Sequence, residues 1–506
     1  MLKVSDNSEN CYKSELDLFT IPPTQTAVED GIYDTILPNS GFETNNNIEF
    51  RIPGDSVHYI DLSATELYAD VEVLGATGTA PVITPKEMLA AANKPVLPVC
   101  NLLHSMFKNI TVRFNTTIVE QTQDLYPYRS YLEDTLNHDH EAKNSFLVTQ
   151  LYAKDTAGQF NNMAMYDETG FVTLPETLPY ALAADTAATP PAVKGQWLYT
   201  AATVVDEGTK SGARKLNVAY QADTNMGANY RRKQLLKNTL LKGKFHLDTF
   251  NMNRYLLNSV DVNLQMTRSS NEFCLKYQNG ADATSSTVNS SIQIKLRKIY
   301  IKIRRVRVSP SIMLDHAMQL TKTNAKYPLK KVIMKQINMS LNSVVQTLSN
   351  IHTGIMPNRI VIGLIKTASS GSGSVLMNPF EFGQYKLESL AIKISSQNVP
   401  YSTPLEFKQN TVTEAYNSLF AGLREHPNDI SIDDYNQGYF ILCFDLTPDL
   451  CSSEHYNILK DGNLEVVMRF TDDSDFKNVP LSLLMYMEFD NVLEITQNRN
   501  IICNYQ

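Results

Sequence analysis

The feature that most constrains this chain is a period-two alternation of apolar and polar side chains that returns along most of its length. Ile48, Phe50 and Ile52 alternate with Glu49 and Arg51 until Pro53-Gly54 ends the run. Leu67, Ala69, Val71 and Val73 alternate with Tyr68, Asp70 and Glu72, and Ile110, Val112 and Phe114 with Thr111 and Arg113. Val260, Val262, Leu264 and Met266 do the same with Asp261, Asn263 and Gln265. Successive side chains of a strand point to opposite faces, so each segment has one face for a core and one for water, as in antiparallel sheets.

The second half repeats the theme. Ile292, Ile294 and Leu296 are followed by Ile299, Ile301 and Ile303, then Val306 and Val308. The phase slips at 297–298 and at 304–305, as β-bulges would make it. Further strand runs cover 361–365, 390–394, 439–446, 464–470 and 481–495. Helical spacing is rarer. Tyr128, Leu132 and Leu136 predict helix within 128–151, Leu102, Leu103, Met106 and Phe107 a short helical face, and Tyr416, Leu419, Phe420 and Leu423 another. Ser309-Pro310 predicts the cap of a helix over 311–321. Many short strands and few helices make this an all-β chain of sandwiches or barrels.

With 506 residues the chain exceeds one ordinary core and fits two β domains of about 200 residues each. Residues 278–291 are rich in Asn, Gly, Ala, Ser and Thr and predict an interdomain linker. The division is then an N-terminal arm over 1–47, a first domain over 48–277 and a second over 292–506. The first domain carries a long irregular excursion at about 159–230. Ser369 to Ser374 reads as a flexible Gly/Ser loop. Within the arm, Leu16-Asp17-Leu18-Phe19 forms an apolar knot, expected to pack on its own domain as a tether. No obvious repetition relates the halves, so any duplication would be structural only.

Charge excludes a globally basic nucleic-acid binder, since the net charge is −8 and the charged fraction only 19%. One local exception is Lys295, Arg297, Lys298, Lys302, Arg304, Arg305 and Arg307. These cations would face a phosphate backbone or pair with acidic neighbours. Base-stacking aromatics are not interleaved and Tyr300 stands alone, which favours pairing. Six scattered cysteines without a C-x-x-C pair suit a reducing compartment. A polar Met1-Leu2-Lys3-Val4-Ser5-Asp6 start and no 18-residue apolar run predict cytosolic synthesis without a membrane-spanning segment.

Motifs for chemistry are missing. Gly208-Thr209-Lys210-Ser211-Gly212 holds only fragments of a P-loop, and neither G-x-G-x-x-G nor G-x-S-x-G occurs. His140-Glu141 lacks a zincin's second histidine. His138 and His140 would share one face of a strand and could hold a metal there, but they fall at a predicted helix end among polar neighbours. Asp433-Asp434 and Asp472-Asp473 read as solvated turn carboxylates rather than a glycosidase pair. No catalytic, cofactor-binding or metal residue is assigned, no cofactor is expected, and the chain is expected not to be an enzyme.

Several segments in order carry a resemblance. They are Glu15-Leu16-Asp17-Leu18-Phe19 with Pro22-Pro23-Thr24-Gln25, Leu125-Tyr126-Pro127-Tyr128-Arg129-Ser130-Tyr131, and Leu151-Tyr152-Ala153-Lys154-Asp155-Thr156-Ala157-Gly158. His246-Leu247-Asp248-Thr249-Phe250-Asn251 follows, running on to Tyr255-Leu256-Leu257-Asn258-Ser259-Val260-Asp261-Val262, and then Glu488-Phe489-Asp490-Asn491. Together they resemble the major capsid protein of Maverick/Polinton-type elements and adintoviruses, whose homologues also occur as reading frames in animal genomes.

The resemblance implies a double jelly roll of the adenovirus-hexon lineage, with two eight-stranded sandwiches. It implies a homotrimer that forms pseudo-hexagonal capsomers tiling an icosahedral shell around a DNA genome. Implied partners are neighbouring capsomers, penton and other minor capsid proteins, and double-stranded DNA through weak inner-face contact. Implied locations are the virion capsid and, for assembly, the nucleus. The 159–230 excursion would build outward towers and a trimer clasp, and the arm would lie inside the shell and lock neighbours. The competing reading is a jelly-roll carbohydrate-binding or glycan-cleaving protein. A single tryptophan, Trp197, and the missing secretion signal weigh against it.

Overall fold

The computed structural model describes the chain except residues 1–13, 17, 20, 40, 43–45, 75–95, 163–164, 167–171, 174–224, 278–291, 341–342, 372, 408–411, 424–427, 451–454, 472–478 and 504–506. Most of the 159–230 excursion, the 278–291 segment, Gly208–Gly212, Trp197 and Asp472-Asp473 therefore lie outside the described residues. Among the described residues no helix is long and apolar enough to cross a membrane.

The alternating segments form two sandwiches. The first is built from β1 (Val28–Ile36), β2 (Asn47–Ile52), β3 (His58–Leu74), β4 (Phe107–Phe114), β5 (Thr117–Gln121), β6 (Leu240–Lys244), β7 (Val262–Arg268) and β8 (Gln293–Val308). One sheet pairs them in the order β1-β8-β3-β6 and the other in the order β2-β7-β4-β5, all antiparallel. The second is built from β9 (Ala325–Asn338), β10 (Val345–Ile355), β11 (Arg359–Lys366), β12 (Leu387–Ile394), β13 (Gln397–Asn398), β14 (Ile441–Asp445), β15 (Asp461–Phe470) and β16 (Leu481–Ile495). Its sheets run β9-β16-β11-β14 and β10-β15-β12-β13. Along these four-strand paths each strand has the same neighbours as the strand eight places earlier, and the second sandwich adds Ile501–Cys503 against β16 and Leu405–Glu406 against β12. Two interleaved Greek keys of this kind define a jelly roll, and the chain contains the motif twice.

The apolar face of each predicted strand is the core face. Ile48, Phe50, Ile52, Leu67, Ala69, Val71, Ile110, Val112, Phe114, Val262, Leu264 and Met266 are all sealed from solvent. On β8 the register with β3 shifts between Leu296 and Lys298, at the first place where the alternation slips, and again between Lys302 and Arg304, where the extra residues lie on β3 rather than as a bulge of β8 at 304–305.

The pairing corrects the expected division of the chain in two places. β1 lies inside the supposed arm, where a strand with Asp30, Gly31 and Asp34 and little burial leaves no clear alternation. β8 opens the supposed second domain yet is the strand between β1 and β3 of the first sandwich. Residues 278–291 therefore separate two strands of one sandwich. The passage to the second sandwich runs through 309–324, which holds the helix Pro310–Leu320. Ser309 stands at its cap position, but its hydroxyl lies 3.0 Å from Ser311 Oγ and caps no backbone N–H.

The helices, that one included, sit in the connections. They are α1 (Leu102–Ser105), α2 (Tyr126–Asn137), α3 (His140–Asn144), α4 (Met226–Lys237), α5 (Asn271–Cys274), α6 (Pro310–Leu320), α7 (Thr413–Gly422) and α8 (Ile432–Tyr435). The predicted 128–151 helix is broken into α2, α3 and a 3-10 turn over Phe146–Gln150. α4 begins inside the stretch expected to be irregular. Its buried face is Gly227, Ala228, Arg231, Arg232 and Leu235, too polar to register as a hydrophobic stripe. A Cβ on Gly227 would meet the carbonyl oxygen of Lys154 at 2.0 Å, so only glycine lets α4 lie this close.

The loop around Gly371 is also not free. Ser369 and Ser370 are buried, Gln336 Nε2 donates to Ser370 Oγ at 2.8 Å, and the backbone at Gly373 abuts Phe273 of the first sandwich.

Ile301 faces both Ile36 of β1 and Leu67 of β3. Ile301→Ala is therefore expected to cost about 2–5 kcal/mol in chemical denaturation. A cost under about 1 kcal/mol would contradict the central place of β8 in the first sandwich.

Candidate functional site at the junction of the sandwiches

The densest polar chemistry in the molecule is buried between the two sandwiches. α2 opens at Tyr126-Pro127 and turns Arg129 inward, where its side chain is 3% exposed. Burying a guanidinium costs several kcal/mol unless its donors are met. Here Nη1 donates to Glu120 at 2.9 Å, Nη2 to Asp248 at 2.7 Å and Nε to Glu133 at 2.9 Å. Glu120 also accepts the N–H groups of Asp248 and Thr249 and the Thr249 hydroxyl, at 2.8 to 3.1 Å. The cluster reaches the second sandwich twice. Val332 N–H of β9 donates to both Asp248 oxygens at 3.2 Å, and the Tyr486 hydroxyl of β16 donates to Glu133 at 3.5 Å.

Beside it, His246 meets Glu133 at 2.8 Å and Asp134 at 3.3 Å. Burial works against its cation, but Asp134 and Glu133 outweigh burial and raise its pKa to about 10. Burial likewise opposes the Glu133 anion, and Arg129 with His246 brings that carboxyl down to about 2. His104 goes the other way: burial, with the His246 charge 4.8 Å off ring to ring, lowers it to about 3. The neutral ring sits between the Tyr126 hydroxyl at 2.9 Å and Gln150 at 3.3 Å. Asn101 and Gln150 each donate to Asp134 at 2.7 Å.

A second buried centre surrounds Asp155. It accepts from Arg231 of α4 at 2.7 Å, from Asn225 at 2.8 Å and, across the junction, from Asn378 at 3.1 Å. The Tyr439 hydroxyl donates to its carbonyl at 2.7 Å. Nearby, Lys143 pairs with Asp429, and Lys154 donates to Asp434 at 2.8 Å. Aromatic rings fill the space between, with Tyr131 stacked on Phe380 at 4.3 Å and 8°. The carboxylates of Glu120, Glu133, Asp134, Asp155 and Asp248 all end on protein donors, an arrangement suited to locking two bodies together.

The residues singled out from sequence fall elsewhere. His138 follows the end of α2 and lies 3.9 Å from Asp134, while His140 starts α3 with 77% of its side chain exposed. Among the described residues no group of three His, Cys, Asp or Glu could hold a metal ion. Asp434 closes a capping box with Ser431 and meets Lys154, and Asp433 lies in the same first turn of α8. The basic strand β8 meets the acids of its neighbours. Arg297 forks onto Glu72 at 2.6 and 3.1 Å, Arg304 meets Asp61 at 3.2 Å, Arg305 meets Asp34 at 2.5 Å and Arg307 meets Glu29 at 3.3 Å. Tyr300 does not stand alone: it stacks on Tyr68 at 4.8 Å, and Lys302 Nζ lies 4.9 Å from the Tyr68 ring.

The junction was not singled out from sequence, although a signal existed. The segments 125–131, 151–158 and 246–251 contain Arg129, Asp155, His246 and Asp248 among aromatic and apolar neighbours, and they meet here.

Arg129→Met is expected to destabilise the chain by about 3–5 kcal/mol, because Glu120, Glu133 and Asp248 lose the buried cation that donates to all three. Denaturant unfolding reads this directly, and a neutral result would mean water replaces the guanidinium. His246 contributes stability fully below its ordinary value of 6.5 and loses it as pH rises towards 10. Glu133 contributes fully above 4.5 and loses it as pH falls towards 2. Thermal unfolding should therefore weaken on both sides of that window, and His246→Gln should flatten the alkaline limb and, by removing one of the groups that holds Glu133 down, also reduce the acid limb.

No protein-family model matches the chain. An uncharacterised protein of Caenorhabditis elegans is 22% identical over 496 residues, covering 95% of this chain and 99% of that one. Among solved structures, a chain from the Sputnik virophage superposes with a TM-score of 0.58 at 12% identity, covering 99% of this chain and 94% of that one. A chain of the PBCV-1 virus capsid superposes at 0.52 and 7% identity, covering 96% and 99%. The structural likenesses cover 96% or more of this chain and so span both sandwiches. The chain is a double jelly roll.

Proposed function

We propose that this chain is a major capsid protein. The observation that carries the reading is the repeated strand order, 1-8-3-6 with 2-7-4-5 and then the same order eight strands on. Two topologically equal sandwiches in one chain give a three-fold assembly six similar sandwiches, and so a nearly hexagonal tile. Locking the sandwiches through buried ionic clusters keeps such a tile from flexing between its halves. The full-length likeness to a virophage chain and to a viral capsid chain supports the reading.

In finer terms, we propose a homotrimeric capsomer of the Maverick/Polinton and adintovirus type, without catalysis or cofactor. It would tile an icosahedral shell around DNA with penton and minor capsid proteins, after cytoplasmic synthesis and nuclear assembly. The nematode relative fits a capsid gene carried by elements resident in animal genomes. DNA contact is proposed as weak, since the acids of β1 and β3 already meet four of the β8 arginines.

Light scattering with negative-stain microscopy tests this. Three chains of 56.9 kDa give about 171 kDa, and particles of that mass with hexagonal outlines are expected. A monomer that binds polysaccharide saturably would instead support a sugar-binding jelly roll. Arg304→Glu with Arg305→Glu should lower the yield of assembled particles more than the DNA retained per particle, because the reversal sets like charges against Asp61 and Asp34. Normal shells empty of DNA would reverse that assignment.

A further inference from the structure

Lys276 lies beside the Asp155 centre and spends its donors elsewhere. It sits on the short strand Leu275–Tyr277, which pairs with Val96–Pro98, and is 4% exposed. Its Nζ donates to the Phe160 carbonyl at 3.1 Å and to Oδ1 of the Asn161 side chain at 2.8 Å. Both acceptors are neutral. Burial dominates, Arg231 and Lys366 add to it, and together they outweigh Asp155 and Glu381, so the Lys276 pKa falls to about 7. At neutral pH about half of the side chain is then an uncharged amine, and an uncharged amine is a nucleophile.

The Asn161 carboxamide is held on three sides. Oδ1 accepts from Lys276 and also from the backbone N–H of Asn378 at 2.6 Å, while Nδ2 donates to Oε2 of Glu381 at 2.8 Å. Cγ is one C=O bond of about 1.2 Å from Oδ1, so Lys276 Nζ lies at most about 4.0 Å from that carbon. The Asn378 N–H stands where negative charge would gather on Oδ1 if Nζ added to Cγ, as the donors of an oxyanion hole do. Glu381 stands on the nitrogen that would leave, and it faces Lys366 at 3.6 Å. Asn378 is 1% and Phe160 2% exposed, which keeps water from competing for the carbon.

We propose that Lys276 and Asn161 join in an intramolecular isopeptide bond. The Nζ lone pair adds to Cγ, and Oδ1 takes the charge under the Asn378 N–H. Nζ and Nδ2 then share one carbon, so the Glu381 carboxylate takes a proton from Nζ and hands it to Nδ2. The Cγ–Nδ2 bond breaks, ammonia leaves, the carbonyl re-forms and Glu381 returns to its starting state. Nothing is oxidised or reduced, and no second substrate enters. The bond joins positions 115 residues apart and ties the start of the 159–230 excursion to the strand that precedes residues 278–291. Glu381 and the Asn378 N–H come from the chain after β11, so the bond forms only once the second sandwich has docked. It does not depend on the capsid reading.

Mass spectrometry of the full-length chain tests it. The protein is first incubated at about pH 8, where the amine is mostly uncharged. The intact mass is expected about 17 Da below that of the sequence, the mass of one ammonia. Trypsin should skip Lys276 and release residues 155–194 joined to 269–295. Lys276→Arg should restore the full mass and lose the joined peptide. Asn161→Asp should give the same joined peptide by shedding water in place of ammonia. Glu381→Gln should cut the linked fraction at least about tenfold, with its melting temperature showing that it folds. A full intact mass with cleavage after Lys276 in the wild-type chain overturns the proposal, whatever the variants do. So does a deficit that survives Lys276→Arg, which would assign the ammonia loss to a succinimide at Asn161.

Discussion

The architecture depends on one buried guanidinium. Arg129 donates a hydrogen bond to each of Glu120, Glu133 and Asp248, and through Asp248 and Glu133 the cluster holds the backbone of β9 and the Tyr486 ring of β16. A wholly apolar joint between two sandwiches would tolerate sliding, because dispersion has no preferred direction. Charge-assisted hydrogen bonds at 2.7 to 2.9 Å do have one. The Asp155 centre adds a second fixed point with Asn378 and Tyr439. Two such points, with Tyr131 against Phe380 between them, set the sandwiches in one orientation. That is what a rigid building block requires, and Coulombic directionality supplies it at the expense of desolvation.

What could be read from the sequence follows from which forces write a periodic signal. β2, β3, β4, β7 and β8 each bury one face, so Phe50, Val71, Val112, Leu264 and Ile301 mark them without ambiguity. The slip at 297–298 on β8 was legible because a bulge must break the alternation. β1 left no such mark: it is an edge strand wet on most of its length, held by backbone pairing and by Glu29 and Asp34 facing β8 arginines. α4 was hidden because its inward face carries Asn229, Arg231 and Arg232 beside Gly227 and Ala228, with Leu235 its one large apolar side chain. The membership of β8 could not be read locally at all. Its partners are set by closure of the sheet, and a linker-like composition at 278–291 outweighed that in a linear reading. The junction was half visible, as ionisable residues embedded in aromatic segments, but only the fold brings 129, 155, 246 and 248 together.

The duplicated order also explains how the halves can share a fold without sharing a sequence. What a jelly roll asks of a strand is alternation, length and position along the chain. β3 and β11 occupy equivalent places, yet β3 has seventeen residues and β11 eight. β11 and β16 are buried on nearly every residue, where β3 is wet on alternate ones over much of its length. Each half meets the same topological demand with different side chains, and the polar clusters that fasten them belong to neither half alone.

The placement of β8 has a consequence for the order of synthesis. Ile36 is made 265 residues before Ile301, which faces it across the sheet. At roughly 5–20 residues per second on the ribosome, β1 waits about 13–50 s for the strand it pairs with among the described residues. During that interval it is a strand edge open to other nascent chains on the same message. Glu29, Asp30 and Asp34, which later meet or lie near arginines, give it a negative guard against such pairing until the arginine-bearing strand arrives. The charges that close the finished sheet thus also police its half-built state.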